Sequence, residues 1–306
     1  MNLDFEKINP VVKWAGGKTR VYSQLKLKMP DELFNGKIKN YYEPFFGGGA
    51  VFFNIIKHTK LEKCVISDIN EELILLYKVI KNDARKLISF VEKYLLIYNQ
   101  LSELDKEKYY YNLRTTYNIE RFNIDHGDYS YLFIPRAAQM LFLNKTCYNG
   151  LYRQNLRGEF NVPFGKNYHP TILTNNNILT VSELFNNVEI ECKDFQDICS
   201  NIDNNNSFVY LDPPYKPISK SANFTSYHKS NFTDKDQIRL SETFRILDEK
   251  NIKLMLNNSC EKINDNTGVI EKYYEGFNIS YINTSSTMSS IMDRRKKINE
   301  LVITNY

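Results

Sequence analysis

Two stretches of this 306-residue chain combine residue types and spacings that suit chemistry. In Glu43-Pro44-Phe45-Phe46-Gly47-Gly48-Gly49-Ala50-Val51-Phe52 an apolar strand pattern runs into three glycines and then a helix pattern. Nucleotide sites on the first turn of a doubly wound sheet are built this way. Gly47 and Gly49 give G-x-G, but Phe52 stands where the dinucleotide fingerprint needs its third glycine. Asp68, nineteen residues after Gly49 and just past the next strand pattern, is placed to accept hydrogen bonds from ribose hydroxyls. A plainer reading makes the glycines a tight turn and Asp68 a helix cap. The second stretch is Phe208-Val209-Tyr210-Leu211-Asp212-Pro213-Pro214-Tyr215, a buried-strand pattern that ends in an acid, two prolines and an aromatic. The prolines lack N–H groups, so the turn is rigid and the adjacent carbonyls are not drawn into a helix. A carboxylate, a free carbonyl and an aromatic face at the carboxyl end of a strand suit a planar amino-heterocycle, with two acceptors for its NH2 and a ring to stack on. A proline turn that merely closes a strand is the plainer alternative.

A third stretch, Lys13-Trp14-Ala15-Gly16-Gly17-Lys18-Thr19, ends in G-K-T, but the first glycine of a P-loop would fall at Val12. It reads as an N-terminal turn with the chain's one Trp packed inside.

The elements that must position these residues follow from periodicity. Strand and helix patterns alternate over Tyr41–Phe46, Ala50–Lys57, Lys63–Ser67 and Glu71–Lys81. From Asp83 to Leu143 the pattern is long, charged and helical, including Ala84–Leu104 and Leu132–Leu143, and a polar loop rich in Asn, Gly and Arg runs from Asn144 to His169. Strand patterns return at Val188–Cys192, Ser207–Leu211, Ile252–Asn257, Asn278–Ile282 and Glu300–Thr304, with a helix over Asp234–Lys250 capped by Thr233. Asn201–Asn206 reads as a surface loop. Alternation at both ends around a helical block predicts an α/β sheet domain carrying an inserted second domain.

Composition narrows the classes. Forty Lys and Arg against thirty-six Asp and Glu leave a net charge of only +4, so a nucleic-acid surface must be a local patch. No apolar run reaches the roughly 18 residues of a membrane span, and the N-terminus lacks the apolar core of a secretory signal. Cys64, Cys147, Cys192, Cys199 and Cys260 are scattered, which predicts reduced thiols in a cytoplasmic protein, and four dispersed histidines predict no metal site.

Asp212-Pro213-Pro214-Tyr215 with the upstream Phe-x-Gly-Gly-Gly resembles the S-adenosylmethionine-dependent amino-methyltransferases. KWAGGK narrows the resemblance to the Dam-like (D12 class) DNA adenine-N6 methyltransferases. It continues through Tyr148–Arg153, Gly158–Gly165 and Ser221–His228 and ends near Arg294–Glu300, touching nearly the whole chain in the family's order. The resemblance implies a Rossmann-like mixed-sheet methyltransferase domain from 1–81 and 170–306, with a mainly helical target-recognition domain inserted at 82–169. It implies that Trp14, Gly16, Gly17, Lys18, Glu43, Pro44, Phe45, Phe46 and Gly47 line the S-adenosylmethionine site. Asp68 and Ile69 would hold the ribose end, and Asp194 and Phe195 the cofactor's adenine. Asp212, Pro213, Pro214 and Tyr215 would be catalytic, with Asp212 also bordering the cofactor.

An exocyclic adenine amine is a poor nucleophile because its lone pair is delocalised into the ring. Asp212 and the Pro213 carbonyl, accepting both N–H bonds, would favour a tetrahedral nitrogen with its lone pair on the cofactor's methyl. The sulfonium is already an electrophile, so the chemistry calls for no metal. An adenine inside a duplex is out of reach and must flip out, at a cost of a few kcal/mol partly recovered by stacking on Tyr215. The expected partner is double-stranded DNA, for which Lys13, Arg136, Asn144, Lys145, Tyr148, Asn149, Leu151, Arg153, Asn155, Arg157, Pro163, Asn223 and Tyr227 are the candidates. A second basic run, Arg294–Lys297, is either a phosphate contact or a solvated face. The resemblance to GATC-methylating members implies that target. A monomer is expected, and pairing with a restriction endonuclease stays open. An RNA or release-factor methyltransferase would share the cofactor site but leave YNGLYR and SANFTSYH unexplained. A DNA-binding protein with a decayed site would not be expected to keep Asp68, Asp212 and Tyr215.

Overall fold

The computed structural model describes residues 8–172, 175–215, 232–260, 268–285 and 297–306. Asn223 and Tyr227, with the rest of Ser221–His228, lie outside the described residues, as do Arg294, Arg295 and Lys296. Seven strands form one sheet: β1 (Asn40–Glu43), β2 (Lys63–Ser67), β3 (Val188–Glu191), β4 (Ser207–Leu211), β5 (Lys253–Ser259), β6 (Asn278–Ser285) and β7 (Lys297–Thr304). Their order is β3-β2-β1-β4-β5-β7-β6, with β1 to β5 parallel and β7 antiparallel to both of its neighbours. This is the Rossmann-like mixed sheet expected. Strand order reverses between β1 and β4, and open α/β sheets bind ligands beyond the carboxyl ends of strands at such a switch point. Glu43 and Asp212 are the residues delivered there.

Helices cover both faces, which is why β4 is buried along its whole length. One apolar cluster joins Tyr41, Ile66, Phe208, Tyr210, Met255 and Val302 to helices α1 (Tyr22–Lys26), α2 (Asp31–Phe34), α3 (Ala50–Ile55) and α4 (Glu71–Gln100). It continues into α5 (Glu103–Glu120), α6 (Phe133–Thr146) and α7 (Asn175–Phe185). The other joins Tyr42, Val65, Val209, Leu211, Leu254 and Leu256 to α8 (Phe195–Ser200), α9 (Asp234–Glu249) and α10 (Val269–Tyr273). Alternation along β4 therefore sends odd and even positions into different cores.

Several boundaries differ from the sequence reading. The helix patterns at Glu71–Lys81 and Ala84–Leu104 merge into one helix, α4, as far as Gln100, with Glu103 and Leu104 opening α5; α4 is capped by the Asn70 side chain on Leu73 N–H. Its only non-helical residue is Asp83 (φ −139°, ψ 36°), whose carboxylate holds Lys86 at 2.8 Å and the Tyr129 hydroxyl at 2.7 Å. Apolar packing on both sides of this kink keeps the chain helical where composition shifts. α9 is capped as predicted by Thr233, which forms a reciprocal capping box with Asp236. β6 and β7 run longer than expected because they pair with each other along their full length.

Candidate functional site

At the end of β1 the chain turns sharply through Phe46–Gly49. Gly47 and Gly49 adopt positive φ (49° and 70°), and a Cβ on either would overlap Trp14 or the Phe46 ring. Only glycine satisfies both demands. Asp68 fastens the turn: Oδ2 accepts Gly47 N–H at 3.0 Å and Oδ1 accepts Asn70 N–H at 2.9 Å. The helix cap is thus Asn70 and not Asp68. Burial raises the Asp68 pKa, opposed by these N–H donors. Ile69 is exposed beside it.

Phe45 is half-buried, stacked on buried Phe195 at 5.3 Å and edge-on to Phe232 at 5.7 Å. Phe46 and Pro44 are buried. Asp194 caps α8 through Gln196 N–H, and its carboxylate takes a two-pronged contact from Arg239 at 2.7 and 3.0 Å. Arg239 went unnoticed in the sequence because it lies 45 residues from Asp194 on an ordinary amphipathic helix.

Asp212 is the centre of a charged cluster. Lys18, only 4% exposed, places Nζ 2.8 Å from Asp212 Oδ2, 3.8 Å from Glu300 Oε2 and 4.7 Å from the Tyr215 ring centroid. It also donates to the Gly16 carbonyl at 2.8 Å. The N-terminal glycine turn and the Asp212 turn are therefore locked together by one ammonium. Glu43 is buried nearby, accepting the Tyr41 hydroxyl at 2.6 Å. Burial pushes the Glu43 carboxyl well above the ordinary carboxylate range, and negative Asp212 adds to the rise. Burial likewise raises Asp212, with Lys18 opposing and favouring the ionised form. Gly16 and Gly17 are exposed, whereas Trp14 is half-buried and stacked on Tyr152 at 5.1 Å, so it is not an interior residue. One contributor was missed: Glu300, which accepts the Tyr215 hydroxyl at 3.1 Å and belongs to no local motif.

The polar loop after α6 is brought against the same turn. Asn144 accepts Lys13 N–H at 3.0 Å and donates to the Lys13 and Gly150 carbonyls. Tyr148 is 54% exposed and Asn149, at φ 56°, is exposed beside it. Arg153 is half-buried, its Nε donating to Asn161 Oδ1 at 2.7 Å. From α5, Tyr110 and Arg114 donate to the Val162 carbonyl and Asn118 to that of Phe160, clamping the loop. Burial and nearby Lys13 push the Lys145 pKa down to about 8. Arg157 and Pro163 are exposed, and Leu151 is half-buried.

Three recognition candidates are placed differently from the sequence reading. Arg136 is 3% exposed and its guanidinium is bound to buried Glu72 (Nη2–Oε1 2.6 Å) and the Tyr117 carbonyl, so it is out of a duplex's reach. Asn144 is fully buried and spends its amide on backbone, as just described. Asn155 closes a local turn, accepting Arg157 and Glu159 N–H groups. Asn144 and Asn155 belong to the basic, Asn-rich loop and Arg136 is a lone cation in the apolar helix pattern before it; at such positions sequence alone does not distinguish an inward from an outward side chain. Among the described residues no cluster of three or more His, Cys, Asp and Glu residues could hold a metal ion, and no helix is long and apolar enough to cross a membrane.

A parallel sheet with an antiparallel seventh strand, a glycine turn beyond β1 and an acid-Pro-Pro-aromatic turn beyond β4 define a methyltransferase-like α/β protein. Comparison with known proteins takes the assignment further: residues 14–288 match the D12 class N6 adenine-specific DNA methyltransferases, and the chain belongs to that family. It is 45% identical to a type II methyltransferase, M.MjaIII, of Methanocaldococcus jannaschii, covering 98% of this chain and 100% of that one. It is 36% identical to the type II methyltransferase M1.LlaDCHI of Lactococcus lactis, over 99% and 98% of the two chains. It is 32% identical to the DNA adenine methylase of Escherichia coli K12, over 97% and 95%. The chain is accordingly an adenine-specific DNA methyltransferase, and its substrate is DNA.

Proposed function

We propose that this enzyme transfers the methyl group of S-adenosylmethionine to N6 of an adenine flipped out of duplex DNA, at the sequence GATC. The observation that carries the proposal is the Asp212 turn at the switch point. It holds a carboxylate with one oxygen paired to Lys18, a rigid Pro-Pro step and an aromatic ring, all linked to the glycine turn of the cofactor side.

The donor set fits that cofactor. Each Asp68 oxygen receives one backbone N–H, which leaves lone pairs for ribose hydroxyls, and half-buried Phe45 offers an apolar face for a base. When bound, S-adenosylmethionine supplies an electrophilic methyl on a sulfonium. Asp212 and the Pro213 carbonyl hold the two N6 hydrogens, and Tyr215 stacks on the base. The new N–C bond would form as the methyl's bond to sulfur breaks, leaving a neutral thioether; Asp212 would stabilise the positive charge developing on nitrogen, and one N6 proton would then leave to solvent. Lys18, 2.8 Å from Asp212, favours the ionised carboxylate that this role needs.

Asp68→Ala tests the cofactor half. It should weaken cofactor binding by roughly 1–3 kcal/mol, through loss of a charged hydrogen bond and of the Gly47 strut. Isothermal titration measures this; unchanged affinity would leave Asp68 with the turn alone.

For target readout, the exposed Tyr148 ring suits a wedge at the gap left by the adenine. Lys13, tied beside it through Asn144, is within the same surface, and Lys145 joins it as a phosphate contact. Arg153, buttressed by Asn161, offers a planar fork for guanine O6 and N7, a pairing worth about 1–3 kcal/mol of discrimination. Leu151 would touch the thymine methyl. Arg153→Ala should lose about tenfold or more of selectivity at one G·C pair, while transfer to altered sites falls less. Sequencing methylated adenines on a treated plasmid checks both claims. Wild-type marks centred on another motif would sink GATC, and an unaltered pattern in the variant would remove Arg153 from base reading.

A further inference from the structure

We infer that Glu300 is a positioning residue for methyl transfer: from β7 it anchors the Tyr215 ring by its hydroxyl. The inference rests on the proposed stacking of Tyr215 against the target base. Glu300 is opposite Ser259 of β5 and on the same face of β7 as Val302, whose side chain joins the Tyr210 core. It is therefore on the side of the sheet toward which alternation also directs Asp212. The antiparallel strand at the far end of the chain thus reaches a turn 85 residues earlier.

The prolines fix the backbone leading to Tyr215 but leave its side-chain torsions free. The hydrogen bond from Tyr215 to Glu300 Oε2, at 3.1 Å, supplies the missing restraint. Lys18 pairs with Asp212 Oδ2 at 2.8 Å and balances the Glu300 charge at 3.8 Å, so the carboxylate that holds the Tyr215 hydroxyl is tied through one ammonium to Asp212.

The test compares Glu300→Ala, Glu300→Gln, Tyr215→Phe, Tyr215→Ala and the Glu300→Ala/Tyr215→Phe double variant. Single-turnover methylation at saturating cofactor and duplex is measured alongside cofactor affinity. Glu300→Ala and Tyr215→Phe should each lower the rate about tenfold without changing cofactor affinity. The double variant should be no more than about threefold worse than either, because both remove the same hydrogen bond. Glu300→Gln, which keeps an acceptor for the hydroxyl, should stay within about threefold of wild type. If Glu300→Ala fails to fold, Tyr215→Phe and Glu300→Gln decide, since both leave β7 intact. Additive losses, a Glu300→Gln rate as low as that of Glu300→Ala, or wild-type rates for Tyr215→Phe would overturn the inference. Full activity in Tyr215→Ala would instead overturn the stacking role itself. Loss of activity in that variant alone would leave stacking standing and remove Glu300.

Discussion

Asp212→Ala is expected to lose methyl transfer by at least about a hundredfold, while cofactor binding stays close to wild type. The Asp212 side chain is 18% exposed at the end of β4, where it would meet the substrate amine, whereas the proposed cofactor contacts come chiefly from the β1 and β2 turns. Removing one preorganised acceptor from a reacting centre typically costs on the order of 10² to 10³ in rate. The variant also leaves Lys18 with the Gly16 carbonyl and the more distant Glu300, so Asp212→Asn, which retains an acceptor of the same shape, separates chemistry from packing. Rapid-quench methylation assays and calorimetric titration measure the two quantities. Near-normal turnover in Asp212→Ala would remove Asp212 from catalysis, and near-normal turnover in Asp212→Asn would leave it an acceptor without a charge role.

Glu72→Ala should destabilise the fold by roughly 3–5 kcal/mol, the cost of stripping a buried ion of its partner. Arg136 is enclosed on α6 with three hydrogen bonds to Glu72 and one to the Tyr117 carbonyl, its guanidinium stacked on the Tyr117 ring at 3.4 Å. The pair joins the first turn of α4, just past the glycine turn, to α5 and α6, which carry and clamp the polar loop after α6. Replacing both partners together with apolar residues of similar volume should recover most of the loss, since the uncompensated charge is then gone. Urea denaturation of the single and double variants measures the difference. A loss under about 1 kcal/mol for Glu72→Ala would show that the pair is not a keystone between these helices.

Much of the architecture was legible because strands buried on both faces leave continuous apolar runs. Lys63–Ser67 and Ser207–Leu211 appear as read, and the Thr233 cap is where its side chain implied. The glycine turn and the Asp212 turn were legible for a related reason: positive φ and a missing N–H leave only Gly and Pro. What escaped were partners joined only by folding. Glu300 is one alternating residue of a strand, and nothing local ties it to Tyr215. Arg239 and Asp194 meet through the packing of α8 on α9. Arg136 misled because a lone cation in an apolar helix pattern, just ahead of a basic loop, reads as a surface contact, while its partner is 64 residues earlier. Asn70 replaced Asp68 as helix cap by a shift of two positions, which the sequence pattern does not resolve.

The most direct measurement of the central claim is nucleoside mass spectrometry of an unmethylated plasmid incubated with the purified protein and S-adenosylmethionine carrying a CD3 methyl. The account predicts labelled N6-methyldeoxyadenosine and no labelled deoxycytidine. It also predicts that a plasmid whose GATC sites have been mutated takes up little label, and that Asp212→Ala takes up none. Label on cytosine, undiminished uptake by the GATC-free plasmid, or no label with a protein that binds both cofactor and duplex would contradict it.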